Sequence, residues 1–166
     1  DLKAGTLEIY INEIKEISQI LADNTVGAIA AYYRFNPKLF EPTAGFFSVK
    51  INGNEFVNYP TTDLSLYEEN DTEHVFWYYE PVNAGQAVWL DPYPNDNIGV
   101  EMISYVAPVY YNGETIGVVG MDIDIESWRE KVRQISLYDS GFAVLLDSEG
   151  NIIYHPDLKY RELKNL

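Results

Sequence analysis

The residues of this chain best equipped for chemistry are carboxylates and aromatics. Asp122 closes an apolar run, Ile116-Gly117-Val118-Val119-Gly120-Met121, that reads as a central strand buried on both faces. A carboxylate in such a place needs a partner: a Lys, an Arg, backbone amides or a ligand. Between Pro60 and Gly99 stand Asp63, Asp71, Trp77, Tyr78, Tyr79, Trp89, Asp91, Tyr93 and Asp96, interrupted by Pro81, Pro92 and Pro94. That stretch is too aromatic for a linker and too irregular for one helix, and ordered insertions of this length usually carry function. Tyr outnumbers Phe by 14 to 7. Its apolar ring with a polar tip suits a polar-ligand pocket or an interface as well as half-buried strands.

Other chemistries find no support. The formal net charge is −15, and no two of the 11 basic residues are adjacent, so neither nucleic acid nor an anionic membrane surface is an expected partner. There is no Cys, hence no disulfide, thiolate zinc site or Cys nucleophile. His74 and His155 lack metal-ligand spacing, and Asp91 and Asp96 read as loop and turn residues in no recognised calcium loop. Ser104, Ser127 and Ser140 sit in no Gly-x-Ser-x-Gly elbow, and Gly117 and Gly120 lie inside a strand, not before a helix. Some pair among 26 acidic residues could face each other across a cleft, but no motif singles one out. The expectation is a binding domain, with no cofactor and no catalysis. No run of about 18 apolar residues is present. The chain starts at Asp1 without Met or a visible signal peptide and reads as an excised piece of a longer protein.

The elements that must position these residues follow from periodicity. Leu7, Ile11, Ile14, Ile17 and Leu21 recur at spacings of three and four and predict a helix over 2–22; Val26 to Tyr33 reads as its continuation, until Asn36-Pro37 breaks it. Three hairpins follow. Phe46–Ile51 and Glu55–Tyr59 flank Asn52-Gly53-Asn54. Ser104–Tyr111 and Glu114–Ile123 flank Asn112-Gly113. Phe142–Asp147 and Ile152–His155 flank Ser148-Glu149-Gly150-Asn151. The two glycines of the apolar strand suggest close approach by a helix or a ligand. A helix over 126–137 has a Trp128, Val132, Ile135 stripe and Asp124 or Ser127 as its cap. The order predicts an α+β fold with an antiparallel sheet.

Taken together, Trp77-Tyr78, Trp89-Leu90-Asp91-Pro92-Tyr93, Ile103-Ser104-Tyr105-Val106-Ala107-Pro108-Val109 and Gly117-Val118-Val119-Gly120-Met121-Asp122-Ile123 resemble the membrane-distal module of double Cache sensor domains. Phe142 to Asp157 resembles the first hairpin of that family's membrane-proximal module, and the leading helix its long N-terminal helix. The resemblance implies a long N-terminal helix plus a PAS-like antiparallel sheet, with a partial second module. It divides the chain into a helical segment 1–35, a membrane-distal module 36–137 and the start of, or a rudimentary, membrane-proximal module 138–166. It also implies an extracytoplasmic small-molecule sensor of a membrane-anchored histidine kinase, chemoreceptor or cyclic-dinucleotide enzyme. The apolar stripe of the N-terminal helix itself suits packing on the sheet, on a second copy as a homodimer, or on both.

Amino-acid binders of that family use an aromatic pair, an upstream Arg and Tyr, and a downstream Asp. Trp77-Tyr78 match the pair and Asp122 the acid, but Val75 and Asn70 stand where Arg and Tyr would be. The resemblance thus implies a ligand set of Trp77, Tyr78 and Asp122, with Asp71, Glu73, Trp89, Tyr93 and Tyr105 as additions. Aromatics and carboxylates without the Arg suit a cation, such as an amine or a quaternary ammonium compound; the ligand class expected is a small amine or an amino-acid-like molecule. The alternative is a carbohydrate-binding or adhesive surface module, with Trp and Tyr stacked on sugar rings.

Overall fold

The computed structural model describes residues 4–50, 55–95, 98–147 and 149–157. Helix α1 (Ala4–Asp23) opens the chain. Strands β1 (Ala28–Phe35), β2 (Gly45–Val49) and β3 (Val57–Tyr59) follow. The long aromatic segment holds a 3-10 turn at Leu64–Leu66, helix α2 (Phe76–Ala84) and the short strands β4 (Val88–Trp89) and β5 (Tyr93–Asn95). Strands β6 (Val100–Tyr111) and β7 (Glu114–Asp124) form the long hairpin, and helix α3 (Ile125–Arg133) follows directly. Among the described residues, seven strands make one antiparallel sheet in the order β3-β2-β1-β7-β6-β4, with β5 also on β6. Two small pairs end the chain: β8 (Ser136–Leu137) with β9 (Gly141–Phe142), and β10 (Leu145–Leu146) with β11 (Ile152–Tyr154). This is the α+β architecture expected.

The reading of Val26–Tyr33 as helix is overturned. Ala28–Phe35 is the sheet's central strand, paired with β2 on one side and β7 on the other. A strand covered on both faces loses its polar alternation and looks like any apolar run. Its period of two nevertheless divides the molecule. Tyr33 and Phe35 turn to one face, against Leu7, Tyr10, Ile11 and Ile14 of α1. Tyr32 turns to the other, against Val75, Tyr78, Leu90 and Val106.

Helix α1 meets the sheet along Leu7, Ile11 and Ile14, as its stripe predicts, but then along Ser18 and Ala22; Ile17 and Leu21 are exposed. Ala22 packs against Ala28 and Ala31. Small side chains at that end let helix and strand approach more closely than Ile17 and Leu21 would. Helix α3 is capped by Asp124, which accepts from the Glu126 amide at 3.1 Å. It ends at Arg133, not 137, because Ser136–Leu137 leaves to pair with β9, and Ile135 is exposed. The last hairpin is shorter than expected, since Phe142 belongs to β9. In the first hairpin the strands pair as expected; its Asn52-Gly53-Asn54 turn lies outside the described residues.

The Asn112-Gly113 turn has φ of 50° and 82°, the double positive φ that such a pair favours. Gly120 serves a different need. A Cβ there would lie 2.1 Å from Cζ of Tyr32, so the tyrosine ring lies flat across β7. The close approach is by this side chain, not by a helix. Gly120→Ala is expected to destabilise the fold by about 1–3 kcal/mol through overpacking. The penalty should largely vanish in a Tyr32→Ala background, measured as a double-mutant cycle by chemical denaturation; an unchanged penalty would place the clash elsewhere.

Candidate ligand cavity

The face of the sheet that carries Tyr32 is built by register. Phe47 and Tyr32 face each other across β2 and β1, Tyr32 and Gly120 across β1 and β7, and Asp122 and Ser104 across β7 and β6. Helix α2 and the chain before it arch over this face. They enclose a cavity of about 420 Å³, whose walls include Tyr32, Arg34, Phe47, Tyr67, His74, Phe76, Trp77, Tyr93 and Asp122. Its other walls include Thr61, Thr62, Asp63 and Glu73.

Asp122 is 1% exposed. Its Oδ1 accepts from Ser104 Oγ at 2.7 Å, and Ser104 Oγ lies 2.7 Å from Tyr93 Oη. Ser104 has one proton, already given to the carboxylate, so Tyr93 donates to Ser104. Among the described residues no Lys, Arg or His lies within ion-pair distance of Asp122, and its other oxygen takes no hydrogen bond. Burial pushes its carboxyl from 3.8 up to about 7, opposed by the Ser104 bond. Burial and the neighbouring Asp122 hold Tyr32 and Tyr93 well above the ordinary phenol range.

Arg34 is the cation of the cavity wall. It is buried, and its donors go to carbonyls: Nη2 to Pro42 and Thr62 at 2.6 Å each, Nε to Ala44 at 3.3 Å. Burial lowers its pKa to about 10. It ties the chain around Pro42 to the chain around Thr62, and so fixes one wall of the cavity.

Of the residues expected to bind ligand, Trp77, Tyr93, Asp122 and Glu73 line the cavity. Tyr78 does not. It follows Trp77 on α2, about 100° round the helix, and lies in the core with its ring edge-on to Tyr79 at 4.9 Å. Tyr105 is out of phase with Ser104, so the alternation of β6 turns it away; it pairs with Trp89, ring centroids 4.9 Å apart, and the two are 44% and 54% exposed. Asp71 acts one step back. It accepts from the amides of Glu73 and His74 and holds the His74 ring, which stacks on Tyr67 at 4.7 Å. These bonds hold its carboxyl below the usual range.

Tyr32, Arg34, Phe47, Tyr67, His74, Phe76 and Ser104 were not among the expected residues. Tyr32 and Arg34 follow from the alternation of β1 once that segment is recognised as a strand. Nothing local in the sequence marks Tyr67 or His74.

Comparison with known proteins gives a consistent picture. A family model described as a Cache domain, dCache_1, matches residues 3–165. The methyl-accepting chemotaxis protein McpA of Pseudomonas putida is 29% identical over 165 residues, covering 98% of this chain and 24% of its own length. The chemotaxis protein PctB of Pseudomonas aeruginosa is 29% identical over 107 residues, 64% of this chain and 16% of its own. The chain thus spans a quarter or less of these relatives. Among solved structures, the extracellular domain of mmHK1S-Z3, a proposed histidine kinase, superposes with a TM-score of 0.67 at 25% identity, covering 93% of this chain and 60% of that one. The ligand-binding domain of the Campylobacter jejuni chemoreceptor Tlp3, in complex with L-valine, shares the fold with a TM-score of 0.64 at 18% identity, covering 96% of this chain and 58% of its own.

The raised carboxyl of Asp122 makes stability depend on pH. The folded chain keeps a proton there that the unfolded chain releases near 3.9. That contribution is fully present below about pH 4 and is lost by about pH 7, as the folded carboxyl itself ionises. Ser104, Tyr32 and Tyr93, which surround it, stay protonated throughout this window; Asp63, Glu73 and His74 share the wider cavity. Asp122→Asn, neutral and nearly isosteric, is expected to remove this component. Denaturation of both proteins from pH 4 to 8 should show wild type losing stability relative to the variant as pH rises. A constant difference would count against the raised carboxyl.

Proposed function

The chain belongs to the Cache domain family, and from that premise we propose that the cavity beneath α2 receives a small ligand carrying a protonated amine. One observation carries the reading. Asp122 is a carboxylate buried on the cavity wall with no basic partner among the described residues. A ligand ammonium supplies that partner, and the faces of Tyr32, Phe47 and Trp77 favour a cation beside them.

Tlp3 has been solved with L-valine and with isoleucine. In this chain the position two before Trp77 is Val75, fully buried, and Arg34 already spends Nε and Nη2 on carbonyls. A bidentate clamp on an α-carboxylate therefore lacks its usual residue, and a simple amine fits the site better than an α-amino acid.

The domain is a ligand-sensing, non-catalytic module. Its parent is a membrane-anchored receptor with the module outside the cytoplasm, as in the chemoreceptor relatives; no described helix is itself long and apolar enough to cross a membrane. The pairs β8-β9 and β10-β11 begin a second module. Strand β1 couples ligand to output, since Tyr32 and Arg34 reach the cavity while Tyr33 and Phe35 pack under α1. The outer face of α1 leaves Ile9, Ile17, Ile20 and Leu21 exposed, a surface that suits a second copy of the helix.

A thermal-shift screen against amines, quaternary ammonium compounds, α-amino acids, carboxylates and sugars tests the ligand class. A ligand at a hundred times its Kd adds about 2.7 kcal/mol to stability, and Asp122→Asn is expected to abolish the response to amines. A response confined to carboxylates or sugars would sink the reading. For the pairing of α1, sedimentation should show a concentration-dependent dimer that Ile17→Lys dissociates; a monomer at millimolar concentration speaks against it.

A further inference from the structure

The hydroxyl of Tyr32 stands out in the cavity. The residue is 4% exposed, and its Oη has no hydrogen-bond partner among the described residues. Tyr33 Oη is also unpartnered, but Tyr33 packs under α1 and is not among the residues of this cavity's wall. Tyr32 lines the cavity with its ring laid across Gly120, two residues along β7 from Asp122 and on the same face of the sheet. Ser104 is the neighbouring hydroxyl. It donates to Asp122 and receives Tyr93; it lies near enough to temper the raised Tyr32 phenol, but no hydrogen bond of good geometry joins the two. Phe would fill the same ring space without a stranded polar atom, so the hydroxyl is kept at a cost to the fold.

Two oxygens on residues of the cavity wall thus have no hydrogen-bond partner among the described residues: the buried Tyr32 Oη and the second oxygen of Asp122. We propose that they form a two-acceptor cradle for a nitrogen that still bears protons, so that the cavity selects primary and secondary amines against quaternary ammonium compounds. The proposal rests on the reading of the cavity as an amine site and names the class of amine. A primary ammonium gives one N–H to Asp122 and another to Tyr32. A quaternary nitrogen offers only charge and methyl surface to Tyr32, Phe47 and Trp77, and gives neither oxygen a hydrogen bond. A site that must hydrogen-bond its ligand rejects an analogue lacking the donor far more strongly than a site that merely fits its shape. Tyr32 remains a neutral phenol in this role, since burial and the Asp122 charge both oppose its ionisation.

The test uses the 166-residue chain and pairs of probes that differ only in N-methylation: ethanolamine with choline, butylamine with butyltrimethylammonium, and phenethylamine with its trimethyl derivative. Calorimetric titration is expected to show the primary member of each binding pair at least about tenfold tighter, the scale of one hydrogen bond to a charged group. Tyr32→Phe should weaken the primary amine about tenfold and leave the quaternary one within about twofold. The variant without ligand should melt at a higher temperature than wild type, because an unsatisfied hydroxyl has been removed. Quaternary members binding as tightly as primary ones, with both abolished by Asp122→Asn, would overturn the proposal and leave the amine site standing. A lower melting temperature in Tyr32→Phe would also overturn it, by showing that the hydroxyl has its partner within the fold. Absence of any amine binding that depends on Asp122 would remove the amine reading itself, and this proposal with it.

Discussion

A carboxylate held inside a sheet, with no ion-pair partner among the described residues, is the constraint on which the rest of this structure depends. Asp122 occupies the strand between β1 and β6, almost wholly withdrawn from solvent, and the fold answers with one hydroxyl instead of a counter-charge. Burying an unpartnered charge is costly enough that the group shifts its pKa instead, and this carboxyl does so, to about 7. The neighbours are arranged around that demand. Ser104 sits directly opposite, Tyr93 closes the relay from β5, and Tyr32 covers the approach across a glycine. The cavity is what remains on the open side.

The same sheet explains how a site of this kind can report its state. Strand β1 has no solvent face. One set of its side chains makes the cavity wall, and the alternate set seats α1 through the Tyr10, Tyr33 and Phe35 rings, 6.3 and 6.1 Å from Tyr10. A displacement of Tyr32 by a ligand cannot be absorbed by the strand without being felt at Tyr33, because interiors packed at this density transmit strain. Arg34 adds a second tie, since it bonds the carbonyl of Thr62 on the cavity wall and that of Pro42 on the segment after β1.

How much of this the sequence disclosed depended on whether the signal was local. The Asn112-Gly113 hairpin was legible because turn chemistry and strand pattern agree, and Asp122 was conspicuous as a charge ending an apolar run. The face it shares with Ser104 was not. A plain two-residue turn pairs Tyr111 with Glu114 and Tyr110 with Thr115, which extrapolates to Ile103 opposite Asp122; the irregularity between Val109 and Tyr110 shifts the register by one and brings Ser104 there instead. Strand β1 was misread because its alanines and buried aromatics lack a polar phase, and with it Tyr32 and Arg34 were lost from the site. Tyr78 enters the expected set as half of the aromatic pair that the resemblance supplies, but neighbours on a helix point in different directions, and here only Trp77 reaches the cavity. Tyr67, His74 and Phe47 reach the cavity only through tertiary arrangement, which no pattern in the chain encodes.

The cavity concentrates features that a fold selected only for stability would lose. It holds a desolvated carboxyl, an unpartnered phenol, a guanidinium satisfied only by carbonyls, and about 420 Å³ of unpacked space. Each would be relieved by an apolar substitution of similar size. A ligand that brings a positive charge, donors and volume to the same place would relieve the carboxyl, the phenol and the space together. Binding energy of that kind favours whichever arrangement of α2 and β1 closes most fully on the ligand, and it can shift the balance between arrangements only by the difference in affinity between them. A site whose empty state is strained in several independent ways gives that difference its largest range. This is the physical sense in which the features that weaken the domain also make it a sensor.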